Sequence, residues 1–211
     1  MKQNTTRTAI ICALSLALGA SAVGAGDWPR YRGAQNDGIS TEKGWSVAWP
    51  AEGPKQLWTL AVGTGASSVS VSQGRLFTMG NKSDQDIVHC LDAATGRQLW
   101  QHTYPCPLDR RQFEGGPAAT PTVDGNLVYT LSHQGHLFCL DAATGKVVWQ
   151  KHLLKDLGGQ RSRWGYACSP LVEGNMLIVD NGGRGASTLA LNKLNGSVIW
   201  KSGDDYAGYA S

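Results

Sequence analysis

After about its first two dozen residues the sequence has no apolar run approaching the roughly 20 residues a bilayer-crossing helix needs. It also lacks apolar residues recurring at helical spacing, adjacent cysteines, and any strong excess of one charge: Lys and Arg number 19 against 16 acids, a formal net charge of +3. These absences argue against a membrane-crossing helix after the N-terminus, where an uncleaved anchor is the minority alternative to a signal, and against an α-helical domain. They also remove any broad electrostatic attraction to nucleic acid or to an anionic membrane. That attraction weakens further once the N-terminus is considered. Lys2 and Arg7 precede an apolar run from Ala9 to Val23, and Val23-Gly24-Ala25 fits a small-residue cleavage site, so residues 1–25 read as a secretory signal. Its removal takes Lys plus Arg from 19 to 17 against 16 acids, a formal charge of +1. Cys12 follows a bulky isoleucine, which argues against lipid attachment. The expected address is the periplasm or the extracellular space.

Four cysteines then remain, Cys90, Cys106, Cys139 and Cys168. An oxidising compartment permits disulfides. Cys90 and Cys139 hold the same register in successive repeats, which favours buried free thiols, with a Cys106–Cys168 bridge as the open alternative.

What the sequence does have is repetition. CLDAATGRQLW, Cys90 to Trp100, returns as CLDAATGKVVW, Cys139 to Trp149, and more loosely as ALNKLNGSVIW, Ala190 to Trp200. Self-similarity at a period near 50 residues marks a repeat array or propeller. Each copy reads as a strand end, a turn and a new strand. Asp92, Asp141 and Asn192 offer a short acceptor to turn N–H groups, and Gly96, Gly145 and Gly196 supply a permissive backbone. A Trp recurring at one position is a packing device.

Three units of four strands follow. The first comprises SSVSVS, RLFTMG, IVHCLD and RQLWQHTY; the second ATPTVD, NLVYTLS, HLFCLD and KVVWQKHLL; the third CSPLVE, MLIVDN, STLALN and SVIWKSG. Four antiparallel strands per unit describe a propeller blade. The expected layout is an irregular strap with aromatic anchors at 26–57, then a partial all-β propeller over 58–211. Within it fall a ring-closing strand near 58–62, blades at 66–104, 116–154 and 165–203, and the opening of a further blade at 208–211, where Gly208-Tyr209-Ala210-Ser211 echoes Gly165-Tyr166-Ala167-Cys168. Three blades fall short of the about 4–8 that close a ring, so the sequence reads as the N-terminal part of a longer protein.

The eleven-residue pattern resembles the tryptophan-docking motif of pyrroloquinoline-quinone-type (PQQ-like) β-propellers. Asp92, Thr95, Gly96 and Trp100 match it, as do Asp141, Thr144, Gly145 and Trp149; Asn192, Asn195, Gly196 and Trp200 match more loosely. The opening Asp27 to Gly33, DWPRYRG, is similar to the start of many secreted members. The family includes quinoprotein dehydrogenases and the outer-membrane assembly factor BamB. The resemblance implies that Trp100, Trp149 and Trp200 dock between blades.

No nucleophile–base pair is readable from spacing, so no catalytic, cofactor-binding or metal residue is assigned. Arg161-Ser162-Arg163-Trp164 could grip an anionic ligand, or be a plain surface loop. Asn81, Asp84 and Asp86 read as a solvated hairpin tip rather than a Ca²⁺ site. Asp180 to Gly185 lacks the strand-to-helix context of a dinucleotide loop. His133 and His136 flank a turn without obvious zinc partners, and Asp204-Asp205 reads as a solvent-facing pair. The expectation is a monomeric, non-catalytic binding or scaffolding propeller that meets a protein or small ligand at its loop face. The alternative is a PQQ- and Ca²⁺-dependent quinoprotein dehydrogenase oxidising an alcohol or sugar, a reading weakened by the missing cysteine pair.

Overall fold

The computed structural model describes residues 26–109 and 115–209; the expected signal over 1–25, and Ala210-Ser211 of the expected further blade, lie outside the described residues. Among the described residues, twelve strands form three four-stranded antiparallel sheets, each in sequential order. The first blade holds β1 (Ser70–Ser72), β2 (Arg75–Lys82), β3 (Gln85–Asp92) and β4 (Gln98–Pro105). The second holds β5 (Thr122–Asp124), β6 (Leu127–Leu131), β7 (His136–Asp141) and β8 (Val147–His152). The third holds β9 (Leu171–Glu173), β10 (Met176–Asp180), β11 (Thr188–Asn192) and β12 (Val198–Ser202). The first strand of each blade is shorter than its apolar pattern suggests. The second blade's outer strand stops at His152, where the chain makes a single helical turn, α1 (Leu153–Asp156), rather than extending through Leu154.

The copied motif builds the same joint three times. A register shift falls at Cys90/Leu91, Cys139/Leu140 and Ala190/Leu191, the residues just before each turn. Asp141 Oδ1 accepts bonds from the Thr144 N–H at 2.8 Å and the Thr144 hydroxyl at 2.7 Å. Asp92 does the same for Thr95. The turn glycines have φ of 70–71°, and a Cβ there would strike an indole from the preceding unit. Gly96 faces Trp58, Gly145 faces Trp100 and Gly196 faces Trp149, at 2.5, 2.6 and 2.8 Å from an added Cβ. Each indole N–H donates to a carbonyl in the same turn: Trp58 to Ala93 at 3.1 Å, Trp100 to Ala142 at 3.0 Å and Trp149 to Lys193 at 2.9 Å. A ring laid flat on glycine with its one polar atom bonded is why this spacing recurs.

Two apolar cores lie in the joints. Phe77, Met79, Trp100, Val128 and Leu140 join the first two blades; Tyr129, Leu137, Trp149, Leu177 and Leu191 join the second and third. The opening residues cross all three inner strands. Asp27 accepts from the Ser72 hydroxyl and the Gln73 N–H, Trp28 and Val71 exchange two backbone bonds of 2.8 Å, and the Pro29 carbonyl takes the Val123 N–H. Arg30 Nη1 reaches the Val172 carbonyl at 3.4 Å. Within the strap, Trp28 is held against the first blade through Val71. Trp45 and Trp49 are 75% and 65% exposed, and Trp49 bonds only locally, to the Ser46 carbonyl. Residues 58–62, expected as a ring-closing strand, form no strand in the described residues; the segment joins the first blade through a bridge between Thr64 and Asn81.

Candidate functional site

At one end of the blades the second-to-third-strand hairpins meet the loops that link one blade to the next. One repeat position governs this junction: Asn81, Ser132 and Asn181, each at the end of a second strand. Asn81 Nδ2 donates to Asp86 Oδ1 and to the Cys106 carbonyl, both at 2.7 Å. Asn181 Nδ2 donates to the Gly182, Ala186 and Leu157 carbonyls. Ser132 Oγ accepts the His136 N–H at 2.9 Å. A polar residue is buried at the strand end there because the neighbouring turn or linking loop must be tied down by something that can bond its backbone.

Around Asn81 lies a buried polar cluster. Asp86 comes from β3, Cys106 from the residue after β4, and His133 from the hairpin of the second blade; they are 0%, 0% and 3% exposed. Their ligating atoms all lie within 4.8 Å of one another. Cys106 Sγ is 3.7 Å from His133 Nδ1, and the Tyr104 hydroxyl donates to Asp86 Oδ2 at 3.5 Å. His133 Nε2 and Asn81 Oδ1 are buried without a hydrogen-bond partner. Burial raises the Asp86 pKa, with the bonds from Asn81 and Cys106 pulling the other way. Burial also pushes the Cys106 thiol well up, helped by the Asp86 charge, and lowers His133 against the pull of Asp86.

This arrangement corrects the reading of Asn81, Asp84 and Asp86 as a solvated tip. Ser83 and Asp84 form the two-residue turn, both at positive φ, so Asn81 and Asp86 pair across the strands and point inward. Asp84 accepts the Leu108 N–H at 3.0 Å. His133 and His136 part company: His136 packs against the His152 and Tyr104 rings, at 4.6 and 5.2 Å. Among the described residues no disulfide forms. Cys106 lies against His133, and Cys168 is 3.9 Å from Asp180 Oδ2, so the Cys106–Cys168 bridge is absent. Asp204 Oδ1 accepts the Gly185 N–H and the Asp205 carbonyl accepts the Gly183 N–H. The Asp180–Gly185 loop and the Asp204-Asp205 pair thus hold each other.

His133 also lines a cavity of about 160 Å³ shared with Asp109, Arg161, Arg163 and Trp164. Arg163 Cζ sits 5.5 Å from the Trp164 ring centre, Arg161 Nη2 is 3.9 Å from Asp109 Oδ2, and Trp164 is 49% exposed. A shallower depression of about 490 Å³ lies beside it, lined by His136, His152, Lys155 and Arg161. Ligand pockets typically run from about 300 to 1,000 Å³. A flat tricyclic quinone needs a plane on each face. The cavity with the indole is too small, and the larger depression has no Trp, Tyr or Phe plane in its lining, so neither of these two depressions fits PQQ.

Among curated proteins none matches this chain. Among solved structures it is similar to a quinohemoprotein alcohol dehydrogenase from Comamonas testosteroni, with 26% identity, 66% of this chain and 21% of that one covered, and a TM-score of 0.48. BamB from Moraxella catarrhalis gives 23% identity, 66% and 36% coverage, and 0.45. A europium-containing methanol dehydrogenase gives 16% identity, 69% and 26% coverage, and 0.52; this last likeness carries the propeller fold alone. The chain spans about a fifth to a third of the length of these relatives. Residues 42–109 and 83–211 match the family model of the outer membrane protein assembly factor BamB, and the chain belongs to that family of PQQ-like β-propellers.

Proposed function

We propose that this chain is part of an exported propeller that works as a binding or scaffolding module, docking a protein partner on the loop face around Trp164. The observation that carries the reading is Trp164 itself. It stands half-exposed at the mouth of a small cavity, with Arg163 over its ring and Arg161 beside it. Trp and Arg are the residues most enriched among interface anchors, and a cavity of this size suits one inserted side chain better than a whole cofactor. The two guanidinium groups favour a partner segment with a carboxylate next to an apolar side chain. In the same reading residues 1–25 direct export and are removed, the motif tryptophans are the family's docking residues, and residues 58–62, which pair with no strand among the described residues, become the outer strand of a ring-closing blade when the rest of the ring is present. The support for the last point is that Leu57 and Leu60 are exposed while Trp58, between them, is docked on Gly96.

The test is a photo-crosslinker at position 164 in the exported protein, beside a control at Leu194 on the third blade's turn. We expect one protein captured at 164 and not at 194, with capture lost in Arg163→Glu. Stoichiometric binding of PQQ with Ca²⁺, together with dye-linked oxidation of an alcohol, would overturn the reading in favour of a dehydrogenase.

A further inference from the structure

We propose that Asp86, Cys106 and His133 form a buried site for one divalent ion of the zinc class, joining the first blade to the second at the loop end. The donor set is the first argument. Thiolate, imidazole and carboxylate together are zinc ligands, and the soft sulfur disfavours Ca²⁺ and Mg²⁺. The spacing is the second. Zn–S of about 2.3 Å and Zn–N of about 2.0–2.1 Å place two tetrahedral ligand atoms about 3.6 Å apart. Cys106 Sγ and His133 Nδ1 are 3.7 Å apart, with the carboxylate oxygen inside the same 4.8 Å span. The three residues lie far apart in sequence and come from two blades, so this convergence is a product of the fold and not of one turn.

The support around the ligands is the third argument. Asn81 uses its two amide hydrogens on Asp86 Oδ1 and on the Cys106 carbonyl. One side chain thus orients two of the three ligands, the role outer-shell groups play in metal sites. His133 also lines the loop-face cavity, so the site lies next to a path to solvent. With these three protein ligands a water would complete the tetrahedron, the pattern of three protein ligands with one open position. Charge closes as well. One M²⁺ ion displaces the Cys106 thiol proton, and the Asp86 carboxyl proton where present, to solvent; the carboxylate and thiolate then balance the ion's two charges.

The test uses the full chain stripped with a chelator and titrated with Co²⁺, then Zn²⁺. We expect one Co²⁺ per chain, with the intense near-ultraviolet absorption of a cobalt–thiolate bond and the visible bands of a tetrahedral ion, both bleached by Zn²⁺. Cys168→Ser should keep the absorption and Cys106→Ser should abolish it. Asp86→Asn, nearly isosteric, should weaken Co²⁺ binding at least about tenfold, the low end of losses at such sites. Should Cys106→Ser fail to fold, mass-spectrometric alkylation of the unaltered protein serves instead, with Cys106 protected by Zn²⁺. Absence of the thiolate band at stoichiometric Co²⁺, its loss in Cys168→Ser, its persistence in Cys106→Ser, or alkylation of Cys106 unaffected by Zn²⁺ would each overturn the site.

Discussion

Trp149 and Trp200 occupy the same position of the same motif, on the outer strands of the second and third blades. Their strand neighbours are equally wet: Val147 and Val148 are 42% and 50% exposed, Val198 and Ile199 46% and 44%. The tryptophans nonetheless differ, at 9% against 39%. The outer strand therefore does not bury its own indole; the glycine turn of the following blade does. Trp149 lies on Gly196 and bonds the Lys193 carbonyl, while among the described residues no turn covers Trp200. Each blade completes its neighbour, which is how repeat arrays distribute stability into interfaces.

The sharpest way to break this comparison is to truncate both rings. Trp149→Ala should cost about 3–5 kcal/mol, as for other buried aromatics, and Trp200→Ala in the same chain well under half of that. Urea midpoints for the two variants measure the difference, and equal losses would sink the neighbour-burial account. The glycine side of the joint should follow. Gly145 and Gly174 both have positive φ, at 70° and 57°. An added Cβ at Gly174 meets nothing within 4 Å, whereas at Gly145 it meets Trp100. Alanine at Gly174 should cost only the left-handed backbone, about 1–2 kcal/mol; at Gly145 it should cost more, and near-ultraviolet circular dichroism should report a displaced indole.

Much of this joint was legible beforehand, because a local motif writes its own geometry. Asp141, Thr144, Gly145 and Trp149 stand at short, repeated spacings, and the turn chemistry of each is decided within a few residues. The strands belong to the same local code, while the bulge before each turn is seen only in the structure. The buried cluster was not legible, because Asp86, Cys106 and His133 are brought together only when two blades dock. The hairpin Asn81–Asp86 looks solvated when read as a string of polar residues. Its register alone shows that Asn81 and Asp86 pair across the strands, beneath the loop that carries Cys106. One signal was available: Asn81, Ser132 and Asn181 recur at the same repeat position, a polar residue where an exposed tip would need none. Trp45 and Trp49 show the opposite failure, since an aromatic residue in an irregular segment implies an anchor only when some apolar face receives it.

The blades also differ in how they should respond to acid. In the second blade, burial first and then the charges of His152, Lys155 and His133 pull the His136 pKa down to about 4. A histidine with a lowered folded pKa favours the neutral form, so its contribution is intact above the unfolded value near 6.5 and is lost as pH falls toward 4. The third blade has no histidine at the corresponding position, which is Ser187, just before β11. Replacing His136 with Gln should therefore flatten part of the decline in urea midpoint between pH 7 and pH 4; an unchanged slope would show that His136 is not coupled to folding.

The smallest expected effect lies in the turns. Asp141 is held below the ordinary carboxyl range, first by the Thr144 hydroxyl and then by the Thr144 and Ala143 N–H groups. A lowered carboxyl pKa stabilises the fold above the unfolded value near 3.9 and ceases to do so as pH drops through the folded value. The third blade has Asn192 at this position, bonding the Leu194 N–H at 2.9 Å without a titratable group. Below about pH 4 the second blade's turn should thus loosen while the third blade's does not. Amide exchange at Gly145 and Gly196, whose N–H groups donate to the Asp141 and Asn192 carbonyls, reads the two turns side by side. Asp141→Asn should remove the acid response at Gly145 and leave Gly196 unchanged; a response surviving that substitution would place the acid sensitivity in the joint between blades, not in the turn.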